Sequence, residues 1–449
     1  MGEYCGYVCE VKELRKHPNA DRLQLTVFFG NTTIVDMTVK KGDIGIYFPV
    51  GLALSEKFCR ANHLLREKDA NGNKCGGYLD PQRRNVVAIK LLGEKSDGLW
   101  LPLSSLASFG NIKSLKIGDR IQIFNGTLIC DKYMPVSTTT RQSKKQSNKK
   151  ERTKKDIIAP LFAEHADTFQ LDYNLDEFKP GDLVELTLKC HGSSGRVAYV
   201  PIEKQKRILK EKILKMFGIK LAPSWDYICG TRRTVLEDFN GGYYGDNAFR
   251  KKSFDFFKGK LHKGEEVFFE IVGFVNNKTP IMPSASNQKL GKEFIKHYGK
   301  ETVFSYGCDP NGELQNDFYV YRMTMTNEDG FVVEYSPDDV RRRCEEMGAK
   351  FVPVFWTAQI PSKYWLEAND YESAGAWVRH YAFKFCDGPD PIGRTHIREG
   401  VVARIVNRRS FTAFKLKNFS FKVLSGIAIA KAEENGTVDR MSEDERGEM

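Results

Sequence analysis

A lysine at the polar end of a strand, followed by a turn of small residues, is the first group in this chain placed to do chemistry. Lys189 closes the run Asp182-Leu-Val-Glu-Leu-Thr-Leu-Lys189. There Val184, Leu186 and Leu188 alternate with Glu185, Thr187 and Lys189, so the two sets belong to opposite strand faces. Cys190-His191-Gly192-Ser193-Ser194-Gly195-Arg196 follows, then a second strand over Val197–Val200. A neutral amine is a nucleophile, and glycines let a backbone approach an anion closely. Taken alone, the segment reads as an ordinary hairpin with an exposed lysine.

Four downstream elements change that reading. Glu266-Val-Phe-Phe-Glu270 places Glu266, Phe268 and Glu270 on one strand face. Phe318-Tyr319-Val320-Tyr321 is an aromatic strand. Glu399-Gly400-Val401-Val402-Ala403-Arg404 sets a carboxylate at a strand start, and Ala413-Phe414-Lys415-Leu416-Lys417 puts Lys415 and Lys417 on one face. Each is weak alone, because paired lysines mark solvated faces and aromatic strands mark cores. Together they supply a nucleophilic amine, aromatic surface for a base, carboxylates for a ribose or metal, and cations for a triphosphate.

Holding such groups in one cleft requires several strands in register. The expected fold class is α+β. Residues 1–136 read as short strands separated by turns, such as Leu23–Phe29 and Thr33–Val39, and fit a small β-barrel. Residues 137–156 are polar, basic and aperiodic, a flexible linker that reads as a solvated tether, with a phosphate-gripping tether as the alternative. Residues 157–430 mix helices with strands expected to form antiparallel sheets. Within them, Ser336-Pro337-Asp338-Asp339 before Val340–Met347 and Gly348 predicts a capped helix, and 203–217 a basic amphipathic helix. The Trp- and Tyr-rich segment 351–391 reads as core, with stacking on RNA as the alternative. Residues 431–449 are an acidic tail expected to be disordered.

The formal net charge of +11 favours a polyanionic partner. No apolar run is long enough to span a bilayer and the N-terminus has no signal-peptide pattern, so a membrane role is not expected and an intracellular location is. The ten cysteines are scattered without a Cys-x-x-Cys pair, which argues against a zinc site or a disulfide framework.

The ordered set resembles the covalent nucleotidyltransferase superfamily of ligases and mRNA-capping enzymes. Lys189-Cys-His191-Gly192 is similar to the RNA-ligase form of the nucleophile motif, where DNA ligases and capping enzymes carry Lys-x-Asp-Gly. Asp317-Phe-Tyr-Val-Tyr321 and Lys415-Leu-Lys417-Asn418 resemble phage-type double-strand RNA ligases, and Cys229-Gly-Thr-Arg232-Arg233-Thr234 resembles their arginine element. The resemblance implies an ATP-dependent RNA ligase using Mg2+ or Mn2+. Lys189 would attack the α-phosphate of ATP, its neutral form favoured by nearby cations. His191 and Gly192 would belong to the nucleotide site. Glu270 would hold the ribose, Tyr321 or else Phe268 would stack on adenine, and Glu399 would help hold the metal. Lys415 and Lys417 would neutralise phosphate charge. Arg196 and Arg233 would meet phosphate on the RNA end. The RNA would present 3′-OH and 5′-phosphate ends, in nicked or structured duplex. Two departures stand out: Arg196 lies seven residues after Lys189, and Arg322 occupies a place where the phage-type pattern carries Asp.

His17-Pro-Asn-Ala-Asp-Arg-Leu23 resembles the start of the tRNA-binding OB modules of some aminoacyl-tRNA synthetases. An N-terminal OB module joined to a Lys-x-His-Gly domain resembles the Deinococcus-type RNA ligases. After Lys417 only a strand and a tail are expected, in place of the C-terminal OB domain of DNA ligases and capping enzymes. The alternatives are one of those nucleotidyltransferases, or a non-catalytic RNA-binding adaptor.

Overall fold

The computed structural model describes residues 4–68, 71–72, 74–135, 157–159, 161–204, 216–217, 224–232, 234–236, 239 and 248–434. The linker, residues 205–215 of the expected 203–217 helix, Arg233 and residues 435–449 lie outside them, and 203–204 end the strand Ser193–Lys204 where that helix was expected to begin. The chain divides into two compact units, both mixing helices with antiparallel sheets.

The first unit gathers 1–136, 286–300 and 419–431. Its central sheet runs Leu99–Pro102, Ile44–Phe48, Gly6–Glu10, Arg120–Ile121, all antiparallel. Val8, Ile46, Phe48, Leu54, Phe58 and Ile129 fill its core. No sheet among the described residues closes on itself, so the structure shows antiparallel sheets here and not a closed barrel among those residues. His17 is fully buried, with Nε2 3.2 Å from the Leu91 carbonyl oxygen, and Asn19 donates to the Leu92 carbonyl oxygen at 2.8 Å. These motif residues therefore pin a neighbouring hairpin. Beyond Lys417 the chain forms a helix, Phe419–Glu434, where a strand and a tail from 431 were expected. Lys422 of this helix bonds Asp97 at 2.7 Å, a long-range contact no local pattern announces.

The second unit is built on two sheets. The larger orders Val235–Leu236, Ser224–Gly230, Ser193–Lys204, Glu265–Asn276, Asn316–Thr326 and Val332–Glu334, with two short strands beside this path. The smaller orders Phe169–Gln170, Thr412–Lys417, Gly400–Ile405, Leu183–Lys189 and Val354–Gln359. Only the Phe169–Gln170 pairing is parallel in that sheet. The alternation holds: Val184, Leu186, Val401, Ala403, Phe414 and Leu416 pack on Trp377, Val378 and Ala382 of the helix Ala374–Cys386. Segment 351–391 thus supplies an edge strand and the helical cover of the apolar face, with Trp356 stacked on Tyr381 at 4.5 Å. The helix Pro337–Met347 starts at the Ser336 cap, whose Oγ accepts the Asp339 N–H at 3.1 Å, and ends at Gly348 with φ 71°.

Candidate active site

Lys189 does not close a hairpin. Its strand belongs to the smaller sheet, whereas the next strand starts at Ser193 and belongs to the larger one. Cys190-His191-Gly192 therefore crosses from sheet to sheet. Glycine at 192 answers to that crossing: a Cβ there would lie 2.2 Å from the Ile271 carbonyl oxygen. The close approach is to protein backbone.

Strand register assembles the charged groups. Lys189 pairs with Gly400 and Gly400 with Lys417, so two lysines flank a position without a side chain. A Cβ at Gly400 would meet the Leu416 carbonyl oxygen at 2.0 Å. One row along, Thr187, Val402 and Lys415 align, and Glu185, Arg404 and Ala413 form the next. Glu399, just before the strand, is buried between the lysines. Its Oε1 lies 3.0 Å from Lys189 Nζ and 2.9 Å from Lys417 Nζ, and its Oε2 lies 3.6 Å from His191 Nδ1. Burial works to raise the Glu399 carboxyl, but Lys189 and Lys417 overcome it and hold it down at about 2. Burial lowers His191 to about 3, against the pull of Glu399, so the imidazole is neutral at physiological pH.

The larger sheet supplies the opposite wall. Glu270 reaches the cavity and accepts a hydrogen bond from Ser194 Oγ at 3.1 Å. Between Phe268 and Phe269 the register to the neighbouring strand slips, with Phe268 opposite Arg322 and Phe269 opposite Val320. Tyr321 is the extra residue of this bulge, a device that re-aims a side chain. It lines the cavity, whereas Phe268 is wholly buried. Arg322, the departure from the phage-type pattern, forks onto Glu334 and lies 4.5 and 4.7 Å from the Phe268 and Phe411 ring centres.

Of the residues the sequence singles out, the structure brings Lys189, Glu270, Tyr321, Lys415 and Lys417 to one cavity, with His191 and Glu399 behind it. Arg196 is a correction. It is 2% exposed, donates to the Thr231 carbonyl oxygen at 2.8 Å and to that of Ala163, and faces Glu266 at 3.6 Å. A guanidinium so enclosed cannot meet an RNA phosphate. Its strand position was legible, its burial was not. Sequence reasoning missed His165, Thr168 and Phe411, which also line the cavity, and gave no role to Arg232 and Arg404, which join them. His165 and Thr168 lie on an irregular segment with no motif; only the tertiary fold brings them in.

A family model described as RNA ligase matches residues 182–424. No curated protein matches the chain. Solved structures of an RNA ligase from Naegleria gruberi share its fold. A mutant with AMP and Mn aligns with 15% identity and TM-score 0.54 over 93% of this chain and 98% of that one. A mutant with ATP and Mn aligns with 15% identity and TM-score 0.52 over the same shares, and the ligase with PPi with 15% identity and TM-score 0.52 over 96% and 98%.

Proposed function

The chain belongs to the RNA ligase family, and from that premise we propose that it seals RNA 3′-OH and 5′-phosphate ends through a lysyl-AMP on Lys189. The observation that carries this reading is the row Lys189–Gly400–Lys417 closed by the buried Glu399. Lys189 Nζ attacks the α-phosphorus of ATP; a P–N bond forms as the P–O bond to pyrophosphate breaks. An RNA 5′-phosphate oxygen then takes the AMP and frees the lysine. The RNA 3′-OH attacks that activated phosphate and AMP leaves. Lys415 and Lys417 stabilise charge on the phosphates where it develops, Glu270 holds the ribose, and Tyr321 stacks on the base.

Glu399 is the candidate ligand for a divalent cation. Its Oε2 is buried without a hydrogen-bond partner among the described residues. Such a carboxylate suits Mg2+ or Mn2+, and a Naegleria gruberi RNA ligase structure contains Mn. When bound, the ion supplies charge neutralisation at the phosphate.

Residues 1–136 are read as an OB-type module that grips the RNA, as in the Deinococcus-type branch, joined by the 137–156 linker to a catalytic domain over 157–430. The resemblance of His17–Leu23 to the start of tRNA-binding OB modules supports this, with His17 and Asn19 shaping the module from within, and the basic 137–156 segment follows it directly. Nicked or structured duplex RNA is the substrate this reading favours.

The test is incubation with α-labelled ATP, and in parallel with α-labelled GTP, in the presence of a divalent metal. Covalent label from ATP alone, lost in Lys189→Ala, is expected. Label from GTP would point to capping chemistry. No label from either nucleotide would leave an RNA-binding adaptor.

A further inference from the structure

Segment 161–168 bridges the two sheets of the catalytic unit. Upstream, Ile157–Ile158 pairs with the Ser193–Lys204 strand of the larger sheet. Downstream, Phe169–Gln170 pairs with the Thr412–Lys417 strand of the smaller one, Gln170 in register with Lys415. Between these ends the backbone is fastened. Phe162 is buried against Ala198, Val200 and Ile228, with the Arg196 guanidinium 3.9 Å from its ring centre. The Ala163 N–H donates to Glu266 Oε2 at 3.0 Å while its carbonyl oxygen accepts from Arg196. Past His165, the Asp167 carboxylate pairs with Arg232.

Fastened so, the segment brings His165 and Thr168 into the cavity wall. The His165 ring centre lies 5.6 Å from that of Tyr321, the planes inclined by 61°. One ring can stack on a planar base; the other, steeply inclined to it, can meet the base edge with a donor or an acceptor. We infer that His165 is a specificity-determining contact to the adenine of ATP, presented by a strap that Arg196, Glu266 and the Asp167–Arg232 pair hold in place. The inference rests on the lysyl-AMP reading and extends it to a residue outside the ordered motifs. It also gives Arg196 a task that its burial permits, as a positioning residue.

The full-length protein is labelled with α-labelled ATP over a concentration series, with GTP as competitor. In His165→Ala the half-saturating ATP concentration rises on the order of tenfold, the saturated rate falls by less than about threefold, and GTP competes better. Asp167→Asn, which loosens the strap without touching the base, gives the same split at about threefold. An unaltered half-saturation in His165→Ala would overturn the inference. So would a loss of rate equal at every ATP concentration. Absence of label in the wild type is a different result: it removes the lysyl-AMP reading itself, and this one with it.

Discussion

Two buried glutamates in the catalytic unit each face cations, and they answer burial in opposite directions. Glu399, 1% exposed in its side chain, meets two lysines whose side chains are 20% and 26% exposed, and its carboxyl is held at about 2. Glu266 meets Arg196, 2% exposed, and burial pushes its carboxyl up to about 8 although Arg196 pulls it down. The difference lies in what the cations do. Both ammonium groups sit within about 3 Å of Glu399. The Arg196 guanidinium lies farther from its carboxylate and spends its donors on the carbonyls of Thr231 and Ala163. Desolvation then wins at Glu266 and charge wins at Glu399. Glu399 keeps its charge behind a cavity lined by the two lysines it meets; the charge of Glu266 is muted beneath a strap.

The sharpest way to break this contrast is to neutralise each carboxylate. Glu399→Gln is expected to slow lysyl-AMP formation by about 10²–10³-fold, the cost of removing one preorganised charge at a reacting centre. Glu266→Gln is expected to slow it by less than about threefold, since its buried acid is already largely neutral. Initial rates of covalent labelling at saturating ATP decide it. Comparable losses in the two variants would erase the distinction.

How legible this was in the sequence follows the same division. Lys189, Lys415, Lys417 and Glu399 could be found because each sits at a strand end or on an alternating strand, where side-chain direction follows from position. The α+β class followed from the same periodicities. What alternation does not encode is which strand pairs with which. Lys189 therefore looked like half of a hairpin, and the crossing at His191 was invisible. Arg196 sits on the strand where alternation expects it yet is buried, because exposure depends on what the other elements cover. The helix Phe419–Glu434 begins Phe-Ser-Phe-Lys-Val-Leu, which is strand-like locally; its register is set by packing in the first unit, where Lys422 bonds Asp97.

A second break removes the cation instead of the carboxylate. Arg196→Met deletes the cation facing Glu266 and frees two buried carbonyls, so the expected cost is about 3 kcal/mol of folding stability. Lys417→Met removes a partly exposed lysine, and about 1 kcal/mol or less is expected, although labelling should slow by about 10²-fold. Urea midpoints and labelling rates measured on the same two proteins test the pairing. Arg196→Met that is as stable as wild type would mean the strap is not held as described.

The smallest expected effect is the one most specific to the contrast, because the two carboxylates tilt stability in opposite directions with pH. The Glu266 carboxyl is raised to about 8 in the folded chain, against about 4.3 when unfolded. Between those values the folded state holds a proton that the unfolded state has lost, so this group makes stability fall as pH rises. Glu399 is held at about 2, so its contribution is present above about 4.3 and is lost as pH falls toward 2. Urea midpoints at pH 5, 6.5 and 8 should therefore decline less steeply in Glu266→Gln than in wild type. Glu399→Gln should leave that decline in place and lessen the loss on the acid side. A difference between wild type and Glu266→Gln that stays constant from pH 5 to 8 would mean that Glu266 is ionised throughout, and that a single guanidinium is enough to hold a charge at this depth.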